Sequence, residues 1–318
     1  MEKLYPFELS CVLKSPVWSG TRLGSEWGKG GMAPIGESWE LCVRQNECNV
    51  IKNGWLAGKT LREAIESYRD EITGGEFGAD DFPLLIKLID AAADLSVQVH
   101  PDDEYSARVE GDRGKTEVWC VLNADEGARM AIGLKEGVGK DELGRALEMG
   151  DAERVLNYVK VKAGDVYFIP SGLCHAIGRG ILVAEIQQNC DLTYRLYDYG
   201  RLGADGKPRE LHIEKALDVI KSFGEGEIEA QRFSRADDIT ESLIADCEYF
   251  RAERICVGGN ATVNTDSRML HLLAVSGEGS VVYERVEYPI KKGSSYLLPA
   301  ALGEVTLRGE LEVIISST

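Results

Sequence analysis

The sequence predicts a mainly β protein made of two strand-rich parts with a few helical insertions. Three observations carry this. Short β-branched or aromatic runs recur at close spacing and end in Gly, Asn, Asp or Pro, as an all-β sandwich or barrel requires. A polar, charged stretch interrupts them near 223–242, and a ten-residue pattern before it recurs after it. With 318 residues, 44% of them hydrophobic, the chain can bury a large core, and at about 150 residues per domain it has room for two.

The elements follow in order. Thr60 and Glu63 form a capping box for an amphipathic stretch to about Arg69, so a helical insertion is expected over 55–75. Segments 95–100, 117–122, 166–169 and 181–187 have strand character, as do 270–275, 280–286 and 311–316 beyond the break. Segments 141–149, 152–158 and 213–223 show helical spacing, which gives further insertions over 140–158 and 212–223. Gly277-Glu278-Gly279 reads as a hairpin turn. The boundary falls inside the polar stretch, with a first domain over 1–235 and a second over 236–318. In the repeat, Gly164, Tyr167 and Pro170 recur in register as Gly293, Tyr296 and Pro299.

Charge narrows the partners. Lys and Arg total 36 against 53 Asp and Glu, a net −17, which argues against nucleic acid or an anionic membrane surface. Basic contacts to an anionic substrate must therefore be local. The N-terminus lacks a signal-peptide pattern and no window approaches the ~18 apolar residues of a membrane span, so a cytoplasmic location is expected. Eight scattered cysteines without a CxxC pair read as reduced, mostly buried thiols.

Four histidines are present, and two have informative neighbourhoods. In Leu95-Ser96-Val97-Gln98-Val99-His100, the strand period of two puts Ser96, Gln98 and His100 on one face. In Lys115-Thr116-Glu117 the same period pairs Lys115 with Glu117; a carboxylate beside an ammonium stays ionised and can ligate a metal. In the stretch from Gly164 to His175, a strand ends in a Pro-x-Gly turn that returns the chain, so that His175 opens the next strand. Gln98, His100, Glu117 and His175 together offer N and O donors without thiolate, consistent with Zn²⁺ that keeps an open coordination position. The register of the repeat puts Glu304 where the first copy has His175, so the second domain is expected to be a copy without the metal ligands.

Gly-x5-Pro-x-Gly-x2-His, met from Gly164 to His175, resembles a motif of the cupin superfamily, whose fold is a double-stranded β-helix of jelly-roll type. More closely, Gln98-Val99-His100-Pro101-Asp102-Asp103 followed by Gly114-Lys115-Thr116-Glu117 resembles the type I mannose-6-phosphate isomerases. So do Ile35-Gly36-Glu37-Ser38-Trp39-Glu40 and Asp191-Leu192-Thr193-Tyr194-Arg195, and the length is similar to the short bacterial form. One departure is Cys120 after Trp119, where the family more often has an aromatic residue. The resemblance implies two cupin domains and one zinc ion on Gln98, His100, Glu117 and His175. It also implies active-site roles for Lys115 and Arg195, and a sugar phosphate substrate, mannose 6-phosphate or fructose 6-phosphate.

Aldose–ketose isomerisation moves a proton between C1 and C2 through an enediol, which needs a base and a holder for the oxyanion. Lys115, Asp191 and a zinc-bound water are the candidate shuttles. Arg195 suits either the phosphate or the enediolate. Asp191, Thr193 and Arg195 face one way if that stretch is extended. Glu185 touches the site or points outward; Glu40 supports the cavity mouth with Trp39; Trp18, near Gly20, fills core. His212 and His271 have no recognisable ligand set around them. The competing readings are a non-catalytic sugar-phosphate sensor and a cupin oxygenase. The combination of Lys115, Glu117 and Arg195 argues against the first, and the small number of His ligands against the second. Monomer and homodimer both remain open.

Overall fold

The computed structural model describes residues 2–203, 206–223, 231–232 and 240–318. The expected break at 223–242, and with it the 235/236 boundary, lies largely outside these residues. Three antiparallel sheets are stacked. The first runs Tyr194–Tyr197, Val97–Val99, His175–Ala176, Arg129–Leu134, Leu156–Lys160. The second runs Gln231–Arg232, Asp165–Ile169, Glu117–Ala124, Ile181–Gln188, Leu84–Ala91, Glu37–Leu41, Val12–Lys14. The third contains Thr240–Asp246, Arg251–Asn264, Glu304–Ser317, Leu270–Tyr283, Val286–Lys291 and Ser295–Leu298, and it also takes in the N-terminal strand Phe7–Glu8.

The central sheet is buried on both faces, which is why its strands read as continuous apolar runs rather than alternating ones. Trp119, Val121, Ile181, Val183 and Ile89 point toward the first sheet and pack with Trp18, Met130 and Ile132. Their alternates Val118, Cys120, Leu182, Ala184, Ile186, Ile86 and Leu88 join one core with the C-terminal strands. Helices Asp103–Val109, Lys140–Glu148 and Ile213–Val219 flank the first sheet, whose outward Val97, Val99, Ala131 and Leu196 pack with Leu143, Ala146 and Ala216. Trp18 is core, as expected. No helix among the described residues is long and apolar enough to cross a membrane.

The Thr60–Glu63 capping box is present and starts the helix Leu61–Ser67. Three expectations need correction. The helical reading of 152–158 holds only for a 3-10 turn, Ala152–Val155; Tyr158 and Val159 then pair with Ala131 and Met130 as a strand, because a free sheet edge outweighs weak local propensity. The strand reading of 280–286 crosses a two-residue hairpin at Glu284-Arg285, both at positive φ (46° and 69°). Such a turn is normally signalled by Asn or Gly. Gly277 and Gly279 are not a turn but lie within Leu270–Tyr283; a Cβ on either would come within 2.0 Å of the backbone oxygens Glu310 O or Arg308 O of the neighbouring strand. The repeat appears as the same unit twice, a glycine at positive φ (90° at Gly164, 83° at Gly293) leading into a strand that ends before proline. Glu304 opens the next strand and is exposed, unlike His175.

His271 is fully buried in the third sheet, with Nε2 2.8 Å from Ser295 Oγ and Nδ1 without a hydrogen-bond partner among the described residues. Burial first, then Lys29, pushes its pKa from 6.5 down to about 3. As pH falls below 6.5 the unfolded chain takes up the proton while the folded chain refuses it. The contribution of this group is therefore complete above pH 6.5 and is lost toward pH 3, by at most about 1.4 kcal/mol per pH unit. His271→Gln is expected to flatten the acid dependence of the urea midpoint by that one proton; equal slopes for both proteins would refute this.

Candidate active site

The inward face of the central sheet is apolar at one end and polar at the other. Along Ile181–Gln188 the inward series runs Ile181, Val183, Glu185, Gln187; Glu185 lies opposite both Lys87 and Trp119, and Gln187 lies opposite Glu117. From the facing sheet, His175 opens its short strand directly opposite Gln98, and Gln98 lies opposite Arg195 on its other side. Cross-strand partners share a face, so His175, Gln98 and Arg195 form a row toward the polar end.

His100, Glu117 and His175 converge there, with one donor atom of each lying within 4.8 Å of the others, all buried. His100 Nδ1 lies 2.8 Å from Leu192 O and His175 Nδ1 2.8 Å from Leu173 O. A carbonyl only accepts, so each Nδ1 carries the hydrogen and each Nε2 keeps a lone pair, the orientation metal-binding imidazoles adopt. His175 Nε2 and Glu117 Oε1 are buried with no hydrogen-bond partner among the described residues and lie 3.5 Å apart. These orphaned acceptors, with Gln98 beside them, fit a divalent cation such as zinc.

Charge is dense around the three. Lys115 Nζ lies 2.9 Å from Glu117 Oε2 and 3.3 Å from His100 Nε2. Lys87 Nζ lies 3.3 Å from Asp191 Oδ1 and 3.7 Å from both Glu37 Oε2 and Glu185 Oε1. Burial keeps both imidazoles neutral, His175 down at about 4 and His100 well below its usual value. Burial, then Glu185, raises Glu117 to about 7. Burial alone would also raise Glu185, but Lys115 and Lys87 outweigh it and hold that carboxyl low. The same balance works in reverse on Lys115: desolvation opposes its charge, yet Glu117 and Glu185 raise its pKa. Lys115 therefore stays an ammonium, and the lowered pKa expected of a lysine base is not found in this setting.

Arg195 is half-buried; its Nε is 3.3 Å from Ser96 Oγ and its Nη1 donates to Glu210 O at 2.8 Å. Asp198 is taken by Arg201 and Arg209, and among the described residues no carboxylate forms an ion pair with Arg195. Asp191 does not share a strand with Arg195, because the strand begins only at Tyr194; Asp191 turns to Lys87 instead. Glu185 is inside the site, with Oε2 accepting from Trp119 Nε1 at 2.8 Å. Glu40 is fully buried, its carboxylate paired with Lys29 Nζ at 2.7 Å. His212, set aside above, backs Arg195 with Nδ1 3.3 Å from its amide nitrogen. Lys87 and the contact role of Glu37 were missed. The available signal was a lysine inside the apolar run Leu84–Ala91, where an unpaired charge is costly.

Residues 7–125 match the family model described as phosphomannose isomerase type I, catalytic domain, and residues 239–318 match mannose-6-phosphate isomerase, cupin domain. The chain is 39% identical to mannose-6-phosphate isomerase ManA of Bacillus subtilis over 98% of both chains. It is 34% identical to the mannose-6-phosphate isomerase of Streptococcus mutans, again over 98% of each. The crystal structure of the Bacillus subtilis mannose 6-phosphate isomerase superposes with a TM-score of 0.90 at 37% identity, covering 98% of this chain and 99% of that one. Two family models at opposite ends, relatives matched over nearly their whole length and a buried His–Glu–His cluster between the first two sheets agree: the chain is an isomerase of the type I phosphomannose isomerase family.

Proposed function

We propose that the protein is a zinc-dependent aldose–ketose isomerase that interconverts mannose 6-phosphate and fructose 6-phosphate through an enediol. The observation that carries this reading is the convergence of His100, Glu117 and His175 beside two buried lysines. Gln98, His100, Glu117 and His175 would hold the metal, which when bound would supply a Lewis acid for the C1 and C2 oxygens.

The chain's own residues do the rest. Lys115 and Lys87, held as ammonium ions by their carboxylates, offer fixed positive charge where the substrate oxygen turns anionic. Asp191 is half-exposed on the open side; burial would raise its carboxyl, but Lys87 and Lys115 hold it low, so it waits as a carboxylate able to accept the carbon-bound proton. Among the described residues Arg195 has no carboxylate ion-pair partner, and it lies two strands from His175, about 10 Å at the usual spacing. That suits the phosphate, at the far end of the sugar, better than the enediolate. Local cations on an acidic chain meet the requirement set by the −17 net charge. We also read the protein as cytoplasmic and acting on free sugar phosphate, as a monomer or homodimer.

The test is conversion of mannose 6-phosphate to fructose 6-phosphate by purified protein, before and after chelation and after zinc is restored. Loss and recovery of turnover are expected, with solvent deuterium appearing at the transferred position. Absence of turnover in folded, zinc-loaded protein would sink the reading.

A further inference from the structure

The strand Glu37–Leu41 has different partners on its two faces. Toward the site, Trp39 lies opposite Lys87, its ring centroid is 4.9 Å from Lys87 Nζ, and its Nε1 donates to Glu37 Oε2 at 2.7 Å. Directly after Trp39 the register against Leu84–Ala91 slips: Trp39 faces Lys87 and Leu41 faces Ile86, so Glu40 is the extra residue of a β-bulge. A bulge leaves its residue outside the ladder, bends the strand and re-aims the adjacent side chains. Here both the carbonyl and the carboxylate of the bulged residue are tied, and part of the tying comes from the C-terminal sheet.

The carbonyl oxygen of Glu40 accepts from Ser295 Oγ at 2.8 Å. Ser295 has one hydrogen to give, so it accepts in turn from His271 Nε2 at 2.8 Å. The Glu40 carboxylate, fully buried, takes Lys29 Nζ at 2.7 Å and Ser38 Oγ at 2.6 Å. Lys29 also donates to Gly293 O at 2.7 Å, in the turn that leads to Ser295. That turn is pressed onto the N-terminal part, since a Cβ on Gly293 would come within 2.5 Å of Trp27 O.

We propose that Glu40, Lys29 and Ser295 are positioning residues, a clamp through which the C-terminal sheet sets the aim of Trp39 and Glu37 at Lys87. The second strand-rich part thereby belongs to the active-site machinery although it adds nothing to the His–Glu–His cluster. The inference rests on the reading of Lys87 as an active-site cation.

Ser295→Ala, Ser295→Thr and Lys87→Met, each loaded with zinc, test it by steady-state kinetics on mannose 6-phosphate. Misplacement by about 1 Å can cost about 100-fold in rate, so Ser295→Ala is expected to lower kcat by about 10- to 100-fold. KM and zinc content should stay near wild type, and Ser295→Thr, which restores the hydroxyl, should recover most of the rate. Wild-type kcat in Ser295→Ala with an inactive Lys87→Met overturns the clamp alone. A fully active Lys87→Met overturns both the clamp and the reading of Lys87. If Ser295→Ala does not fold, Ser38→Ala removes one hydrogen bond from the same carboxylate and carries the same expectation.

Discussion

Glu117→Gln is expected to lose bound zinc and isomerase turnover together, with kcat falling by more than about 100-fold, the upper end seen when only an outer-shell partner is removed. The side chain is fully buried and is the only anion among the four proposed ligands. Its replacement leaves two neutral imidazoles and two amides facing the Lys115 ammonium, 3.3 Å from His100 Nε2. A divalent cation entering that set would face the lysine charge with no carboxylate among its ligands, and water is too far excluded to screen it. Zinc per chain after dialysis, measured beside the rate, checks this. Glu185→Gln is the control: it changes a carboxylate that touches Lys115 and Lys87 but lies outside the cluster, so metal should stay while rate falls. Full zinc occupancy in Glu117→Gln would remove Glu117 from the ligand set.

The cluster was legible because its members announce themselves locally. His100 follows directly on the strand Val97–Val99 that carries Gln98, Lys115 sits two before Glu117, and the Pro-x-Gly turn delivers His175 to the start of a strand. Lys87 and Glu37 lie on two further strands; the pairing of Lys87 with Glu185 brings the first to the site and the pairing of Trp39 with Lys87 brings the second, and no spacing rule in one sequence encodes that registration. The same limit explains the strand at Leu156–Lys160, which exists because Arg129–Leu134 offers it an edge. The helix Asp103–Val109 was missed despite a local signal, Asp102 as N-cap accepting from Tyr105 N at 3.0 Å with acidic residues in the first turn. The alternation of Asp191, Thr193 and Arg195, which required an extended stretch, fails for the opposite reason: residues 191–193 lie in a loop and the strand begins only at Tyr194.

Lys87→Met is the second change expected to have a large effect. Methionine keeps the apolar stem over Trp39 but removes the charge that faces Glu37, Glu185 and Asp191. Activity should fall by about 10²- to 10⁴-fold, the range for loss of a group acting in proton transfer or its electrostatic support. Stability should fall at neutral pH by less than the cost of about 3–5 kcal/mol for leaving a buried charge wholly unpaired, because Lys115 stays 3.8 Å from Glu185 and Trp119 still donates to it. Glu185 accounts for most of it, since half-exposed Asp191 is screened by water. The pH dependence has a definite sign. In the wild type the Glu185 carboxyl is held low by Lys115 and Lys87 against the pull of burial, so its stabilisation is present above the unfolded carboxyl value and is lost only as pH falls through the folded one. Without Lys87 the folded value rises above the unfolded value; the folded variant then binds the extra proton, and its stability drops as pH climbs through that window. Urea midpoints at pH 5 and pH 8 should therefore show the variant closer to wild type at pH 5 and further below it at pH 8. A gap independent of pH would mean that Lys87 is not the counterion that keeps Glu185 ionised.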